Sequence, residues 1–438
     1  MQETLKRHCA FVLKTSCLAA LMVGIAWNVR FGIADLLARR KQPDETRLAM
    51  RLVPANGVYP AQLANEIYAI DPASAKSQLQ RAVKLDRYDA SSWIQLGLLY
   101  EAEGDLPQAE EALLRAAGAD STFLPSWSLA NFYFRHENAA RFWYWARSAA
   151  QMAPDDATPL FRLAWYVSPS AREIAGRLQM QRPVIEVQFV NFLMAQGDPE
   201  AVTEAASHLL VAGKEAETVL EVCDWLIDHQ HPDLALPLWN ELAERHQIPY
   251  AQLVAGSADT VTNGRFGKSP ASRGFDWHLK PVEGVSAFLN VNPNVLGFDF
   301  SGDEPNSFLI MNQVAPIQPQ KHYVLAIDYA TSGIPPGSGI EWWVTDVVSG
   351  AVLARTGSLS AEQGGESSAC FAAANGTKFV NLSLLYQRQP GTVRVEGKLT
   401  LKGVSLSGAT TEACMTGKSP PPELSPRGSE TTLMVNGG

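Results

Sequence analysis

The chain has 438 residues, 46% hydrophobic and 18% charged, a balance that suits folded domains and excludes a disordered chain. Such a length exceeds one ordinary core, so two or three domains are expected. A formal net charge of −9 and a pI of about 5.5 exclude a general nucleic-acid binder, because phosphate contacts need a dense basic face.

The first element is an apolar segment over residues 9–27, interrupted by Lys14 and a few small polar residues. Its length is close to the ~20 residues that cross a bilayer as a helix, and Lys14, one turn inside, can snorkel to the headgroups. Lys6-Arg7 and Arg39-Arg40-Lys41 flank it. We expect a cytoplasmic stub and single-pass anchor over 1–30, with the bulk of the chain outside the cytoplasm. A cleaved secretory signal peptide competes with this reading, since Gly24 and Ala26 lie near a possible cut, and a buried soluble helix is a third alternative.

Helical periodicity follows. Ala61, Asn65 and Tyr68, then Leu79, Ala82 and Leu85, outline a degenerate helical pair. Trp93, Leu96, Gly97 and Tyr100 open a better-formed unit, continued by Ala109, Leu113 and Ala116 after a Gly104-Asp105 turn. Trp127, Ala130, Asn131 and Phe134 open another, and Trp93 to Trp127 is 34 positions. Leu160, Leu163, Ala164 and Val167 start a further helix that stops at Ser168-Pro169. Helices are expected over 184–195, 199–212, 215–228 and 232–245, punctuated by Gly197-Asp198-Pro199, Gly213 and His231-Pro232.

From Asn263 the composition shifts to Gly, Asn, Ser, Val and aromatics, with short alternating runs at 286–291, 295–300, 323–329, 341–344, 379–384 and 398–401. Such runs separated by turn signals predict an antiparallel sandwich of about eight strands, a jelly roll, over 263–406. The residues after 407, including Ser419-Pro420-Pro421-Pro422, are expected to be disordered. Of the five cysteines, Cys223 reads as a small buried hydrophobe, while Cys370 and Cys414 can pair in an oxidising compartment or remain two thiols.

The 34-residue pattern resembles the tetratricopeptide repeat, a helix–turn–helix unit that must stack to bury its apolar face. Repeats of this kind are expected over 50–168, with a degenerate helical-hairpin extension over 182–255. Asn263-Gly264-Arg265-Phe266, Gly274-Phe275-Asp276-Trp277, Gln313-Val314 with Pro316, Pro319 and Tyr323, and the stretch from Gly397 to Leu406 resemble carbohydrate-binding modules of the galactose-binding-like jelly-roll group. Where such modules place an Asp in the final strand, this chain has Lys402-Gly403. An apolar start, helical repeats and this jelly roll together look like the repeat proteins of bacterial exopolysaccharide and O-antigen systems. That resemblance implies a periplasmic protein on the inner membrane whose repeats meet envelope or polysaccharide-assembly proteins.

Candidate sites are few. Sugar rings present C–H faces that pack on aromatic rings, so Trp277, Trp343 and Tyr386 are candidate glycan-stacking residues. Adjacent Trp342 and Trp343 must point to opposite faces of a strand, so one of them belongs to the core. Gln95 and Asn131 on first helices are candidates to clamp a partner's backbone. The competing reading places all these aromatics in packing. Asp299, Asp303 and Glu304 read as a solvated loop rather than the start of a calcium site. Asp276 beside His278 has no second carboxylate or nucleophile motif, and neither Gly-x-Ser-x-Gly nor a phosphate loop occurs. We therefore expect no enzyme, no cofactor and no metal, but a non-catalytic scaffold or adaptor. A generic envelope adaptor that binds no sugar is the alternative, and a glycan-active enzyme a more distant one.

Overall fold

A computed structural model describes residues 2–154, 156–212, 215–257, 260–360, 365–411 and 414, with side chains described from Lys14 onward except at 211–212. The chain divides into two compact units, 1–192 and 193–438.

The first unit is helical. It begins with α1 (Gln2–Ala38), α2 (Pro43–Leu52), α3 (Val58–Ile67) and α4 (Pro72–Leu85). Next come α5 (Ala90–Ala102), α6 (Leu106–Ala119), α7 (Phe123–Arg135) and α8 (Ala139–Gln151). The unit ends with α9 (Thr158–Val167), α10 (Ala171–Leu178) and most of α11 (Pro183–Gln196). The helices start where the sequence supplies an acceptor for orphan N–H groups. The side chains of Asp71, Asp89, Asp105, Asn138 and Ser170 each accept from a backbone N–H three residues on. The α5–α6 hairpin closes tightly because position 97 lacks a side chain: a Cβ there would lie 2.8 Å from Leu113 Cγ. Alanines carry much of the core, with Ala109, Ala112 and Ala116 of α6 buried beside Leu113.

Two boundaries differ from the expected ones. The first helix continues past the expected anchor region and runs unbroken through Gly32 to Ala38, with Ala34 and Ala38 buried in the first core. Lys14–Ala38 is long and apolar enough to cross a membrane. Helix α10, between the two expected helical regions, carries no repeat signature, and its amphipathic turn is capped by Ser170.

The second unit opens with the end of α11, α12 (Pro199–Ala212), α13 (Ala216–Asp228) and α14 (Pro232–Glu244). Ten strands follow: β1 (His278–Leu279), β2 (Val285–Val291), β3 (Asn294–Ser301), β4 (Ser307–Pro316), β5 (His322–Ser332), β6 (Ile340–Asp346), β7 (Val352–Arg355), β8 (Gly365–Ala372), β9 (Phe379–Gln387) and β10 (Glu396–Ala409). They form two antiparallel five-stranded sheets, ordered β1-β4-β9-β6-β7 and β2-β3-β10-β5-β8. From β3 onward the chain crosses between sheets at nearly every connection, as in a jelly roll. Phe298, Phe300, Leu325, Ile327, Trp342, Leu382 and Leu399 fill the space between the sheets. The last strand passes the expected end at Leu406: Ser407, Gly408 and Ala409 pair with Val324, Tyr323 and His322. Beyond it Cys414 is disulfide-bonded to Cys370, with Cα atoms 5.5 Å apart. The rest of the expected disordered tail, 415–438, lies outside the described residues.

Helices and sandwich of this unit meet at residues 271–278. Trp239 of α14 is buried, stacked on Tyr250 at 5.7 Å and met by the edge of Phe275 at 5.9 Å. Arg273 Nη1 donates to Asp224 Oδ2 of α13 at 3.0 Å, and the Gly274 N–H donates to the other oxygen.

Candidate functional site

Strand alternation sorts the first sheet into a core face and an outer face. Trp342 opposite Leu384 and Val344 opposite Leu382 belong to the core. The residues between them face outward, and their register builds a row across all five strands. His278 of β1 opposes Asn312 of β4, which opposes Ser383 of β9. Ser383 opposes Trp343 of β6, which opposes Arg355 of β7. Asn381 and Thr345 stand opposite one another as the next pair along, and Leu385 and Glu341 as the pair before.

The row is pre-set by contacts among its own members. The Arg355 guanidinium lies 3.7 Å from the centroid of the Trp343 ring, a cation–π stack that holds the half-buried indole. Trp343 Nε1 donates to Glu341 Oε2 at 3.2 Å. Asn312 Nδ2 donates to Asn381 Oδ1 at 3.0 Å, while Asn312 Oδ1 is buried without a protein partner. Exchanging the two atoms of the Asn312 amide leaves one polar atom over in either orientation. At the far end His278 Nε2 makes a 2.9 Å hydrogen bond with the Gly274 carbonyl and lies 3.9 Å from Asp224. Burial raises the Asp224 carboxyl above the usual carboxylate range, against the pull of the Gly274 N–H and Arg273. The face thus carries one aromatic ring with a guanidinium over one side, planar amide and carboxylate groups, and, at Asn312, a buried polar atom without a protein partner. These groups suit a ligand rich in hydroxyls and C–H faces.

The candidate residues separate clearly. Trp343 stands on the outer face, and its neighbour Trp342 is the core member of the pair. Trp277 is not available for stacking on a sugar: it is fully buried, edge-on to Trp342 at 5.6 Å. The reason is period two, since Trp277 falls on the inward side with Leu279, which leaves His278 outside. Tyr386 is likewise a core residue, opposite Ile340, and its hydroxyl accepts the Val395 N–H at 3.2 Å. Asn312 and Arg355 lie on β4 and β7, strands without a readable alternating run, whereas Ser383 falls within the run at 379–384 and His278 beside Asp276; their place in one row depends on pairing between strands distant in sequence.

Asp276 is a structural staple. Its Oδ2 accepts from Tyr250 Oη at 2.8 Å and from the Ala271 N–H, and burial raises its carboxyl. Asp299 pairs with Lys398, and buried Glu304 accepts the Gly302 N–H. Among the described residues no three acidic, His or Cys side chains gather as a metal site. The disulfide accounts for Cys370 and Cys414, and Cys223 is buried.

In the first unit, Gln95 of α5 and Asn131 of α7 are half-buried. Asn131 Nδ2 is engaged by the Trp127 carbonyl of its own helix at 3.0 Å, and this weakens a backbone-clamp role. A cleft of about 340 Å³ lies over α4, α5 and α6, lined by Gln80, Lys84, Trp93, Tyr100, Glu111 and Arg115. Its aromatics are covered by cations: Lys76 lies 4.4 Å from the Tyr100 ring and Arg115 5.6 Å from the Trp93 ring.

No family model matches this sequence, and no curated protein matches it. Several solved structures are similar to parts of it. One, described as the crystal structure of MamA, is 18% identical, with a TM-score of 0.25, over 28% of this chain and 75% of that one. A structure of CBM4 is 10% identical, with a TM-score of 0.27, over 34% of this chain and 99% of the module. YrrB, described as a TPR protein with an unusual peptide-binding site, is 11% identical, with a TM-score of 0.25, over 48% and 95% of the two chains. At these scores the likenesses add nothing to the fold described above and carry no function across.

Proposed function

We propose that this chain is a non-catalytic, membrane-anchored scaffold of the bacterial envelope that serves cell-surface polysaccharide assembly or export. Its outer sheet face contacts glycan, and its helical repeats hold protein partners. The observation that carries the glycan part is the row His278–Asn312–Ser383–Trp343–Arg355, with the Trp343 ring held by Arg355 on one side. Support for the anchor is the apolar helix Lys14–Ala38. The polysaccharide setting rests on resemblance of layout alone.

The test is affinity electrophoresis of the full-length protein in detergent through gels containing bacterial surface polysaccharides. Retardation is expected for at least one polysaccharide, and Trp343→Ala should strongly weaken it, since losing the apolar burial of one stacking ring costs on the order of 1.5–3 kcal/mol, about tenfold or more in affinity. Wild-type mobility unchanged across a broad panel, with envelope proteins co-purifying through the same face, would instead make the sandwich a protein-docking module.

A further inference from the structure

The end of the first unit beside α1 carries a second site. Helix α2 runs back along the last turns of α1, so its C-terminus reaches Arg30, whose guanidinium Nε donates to the Leu52 carbonyl. The α2–α3 turn and the end of α4 lie at the same end: a Cβ on Gly57 would be 3.1 Å from Asp86 Cβ. Between them opens a cleft of about 450 Å³, lined by apolar Trp27, Leu52, Val53 and Leu85 and by the two charged groups Arg30 and Asp86.

Four observations say what fills it. First, the cleft is continuous with the exposed apolar surface of α1, where Leu18, Leu21, Met22, Val23, Ile25 and Val29 are each more than half exposed. If the apolar run 9–27 of α1 spans the bilayer, the cleft opens where that run ends, and the last turns of α1 belong to the helical core. Second, this end is decorated as a membrane–water boundary is, with exposed Trp27 beneath Arg30 at 5.7 Å and exposed Tyr88 beneath Arg87 at 4.7 Å. Third, Val58 projects from the same turn with 60% exposure, which suits acyl contact. Fourth, the cleft holds complementary charges: the terminal amino groups of Arg30 and the second oxygen of Asp86 have no partner among the described residues, the first oxygen accepting the Tyr88 N–H.

We propose that this cleft binds one membrane phospholipid of the phosphatidylethanolamine class, its phosphate on Arg30, its ammonium on Asp86 and its glycerol and upper acyl carbons against Trp27, Leu52, Val53 and Leu85. The proposal rests on reading α1 as the membrane span. It gives α1 a second role, as one wall of a lipid site that seats the first helical pair at the headgroup layer.

The test is native mass spectrometry of the full-length chain released from nanodiscs of equimolar phosphatidylethanolamine, phosphatidylglycerol and phosphatidylcholine. One retained phosphatidylethanolamine is expected on the wild type. Arg30→Gln and Asp86→Asn should each lower its occupancy about tenfold, the scale of one charge-assisted hydrogen bond. Ala55→Trp, at an exposed cleft position, should do the same by filling the space while leaving both charges in place. Equal retention of the three lipids, no retained lipid, or variants that retain as much as the wild type would overturn the proposal. A carbonate wash of the source membranes separates the two readings. A wild-type chain that stays in the pellet but carries no lipid refutes the lipid site alone, and one released by the wash refutes the span and the site together.

Discussion

Gly274→Ala tests whether helices and sandwich of the second unit are joined by a steric fit. Gly274 has φ of +53°, the left-handed region, where an alanine is strained by about 1–2 kcal/mol. Its added methyl would also stand 2.7 Å from Trp239 Cε3 and Cζ3 and 3.6 Å from Cys223 Cβ. The indole cannot easily retreat, because Tyr250 stacks on it within 14° of parallel and Phe275 meets it edge-on. Overpacking of this kind costs about 1–3 kcal/mol, so the total is about 2–5 kcal/mol. For a unit of this size that lowers Tm by roughly 4–20 °C. Gly302→Ala is the control, since Gly302 has φ of +86° and nothing within 4 Å of its added methyl, leaving only the backbone strain. Scanning calorimetry of both variants isolates the steric part, and Trp239→Phe in the Gly274→Ala background should recover some of it as a coupling between the two sites. Equal melting shifts for Gly274→Ala and Gly302→Ala would refute the reasoning.

Two further outcomes follow from the charges and cysteines. Burial pushes the Glu101 carboxyl up, but Arg135 at 2.7 and 2.8 Å and His136 at 3.0 Å outweigh it and hold the group below its ordinary 4.5. The folded chain therefore releases this proton more readily than the unfolded one, so the stability it lends is full above pH 4.5 and is lost as pH falls through the folded value. Glu101→Gln should cost about 1–3 kcal/mol at pH 7 in urea unfolding, with the deficit shrinking below about pH 4; a pH-independent deficit would show that the pairing is not the cause. For the cysteines, alkylation in denaturant without reductant should label Cys17 and Cys223 and spare Cys370 and Cys414, and reduction should cost the sandwich about 4 kcal/mol for a separation of 44 residues. Labelling of Cys370 in mass spectra before reduction would contradict the bridge.

Local signals made the helices readable and left much of the sandwich unread. The Gly104-Asp105 turn announces its helix within a few residues, because a cap such as Asp105 acts on an N–H only three positions on. Strands β3, β5 and β9 also announce themselves, being dense in Leu, Val and Phe. Strand β4 did not: Asn312 and Gln313 break its apolar run, and the bulge between Leu309 and Met311 shifts its alternation. Strand β7, only four residues long, offers no period at all. The candidate site depends on pairings such as Asn312 with Ser383, 71 positions apart, and no local window contains that information. Trp277 illustrates the converse. Its motif was visible and so was its aromatic character, but the face it takes depends on β1 pairing with β4, and that pairing turns it inward.

The His278 end of the row raises the question of how far the outer face acts as one site. His278 is held by the Gly274 carbonyl and lies near Asp224, which also takes Arg273 and the Gly274 N–H. Trp343 is three strands away, about 14 Å at the usual strand spacing, and is held by its own partners Arg355 and Glu341. Asp224→Asn keeps an acceptor for the Gly274 N–H but removes the charge facing Arg273, so unfolding should become easier by about 1–2 kcal/mol. Because nothing in the Trp343 stack passes through Asp224, polysaccharide retardation should change by less than about twofold, the behaviour of sites with no shared partner. Measured beside Trp343→Ala, this variant separates the clamp that joins helix to strand from the surface that meets the ligand. If Asp224→Asn abolishes retardation while leaving Tm unchanged, the ligand must extend along the whole row to His278, and the division drawn between fold-holding and ligand-holding residues is wrong.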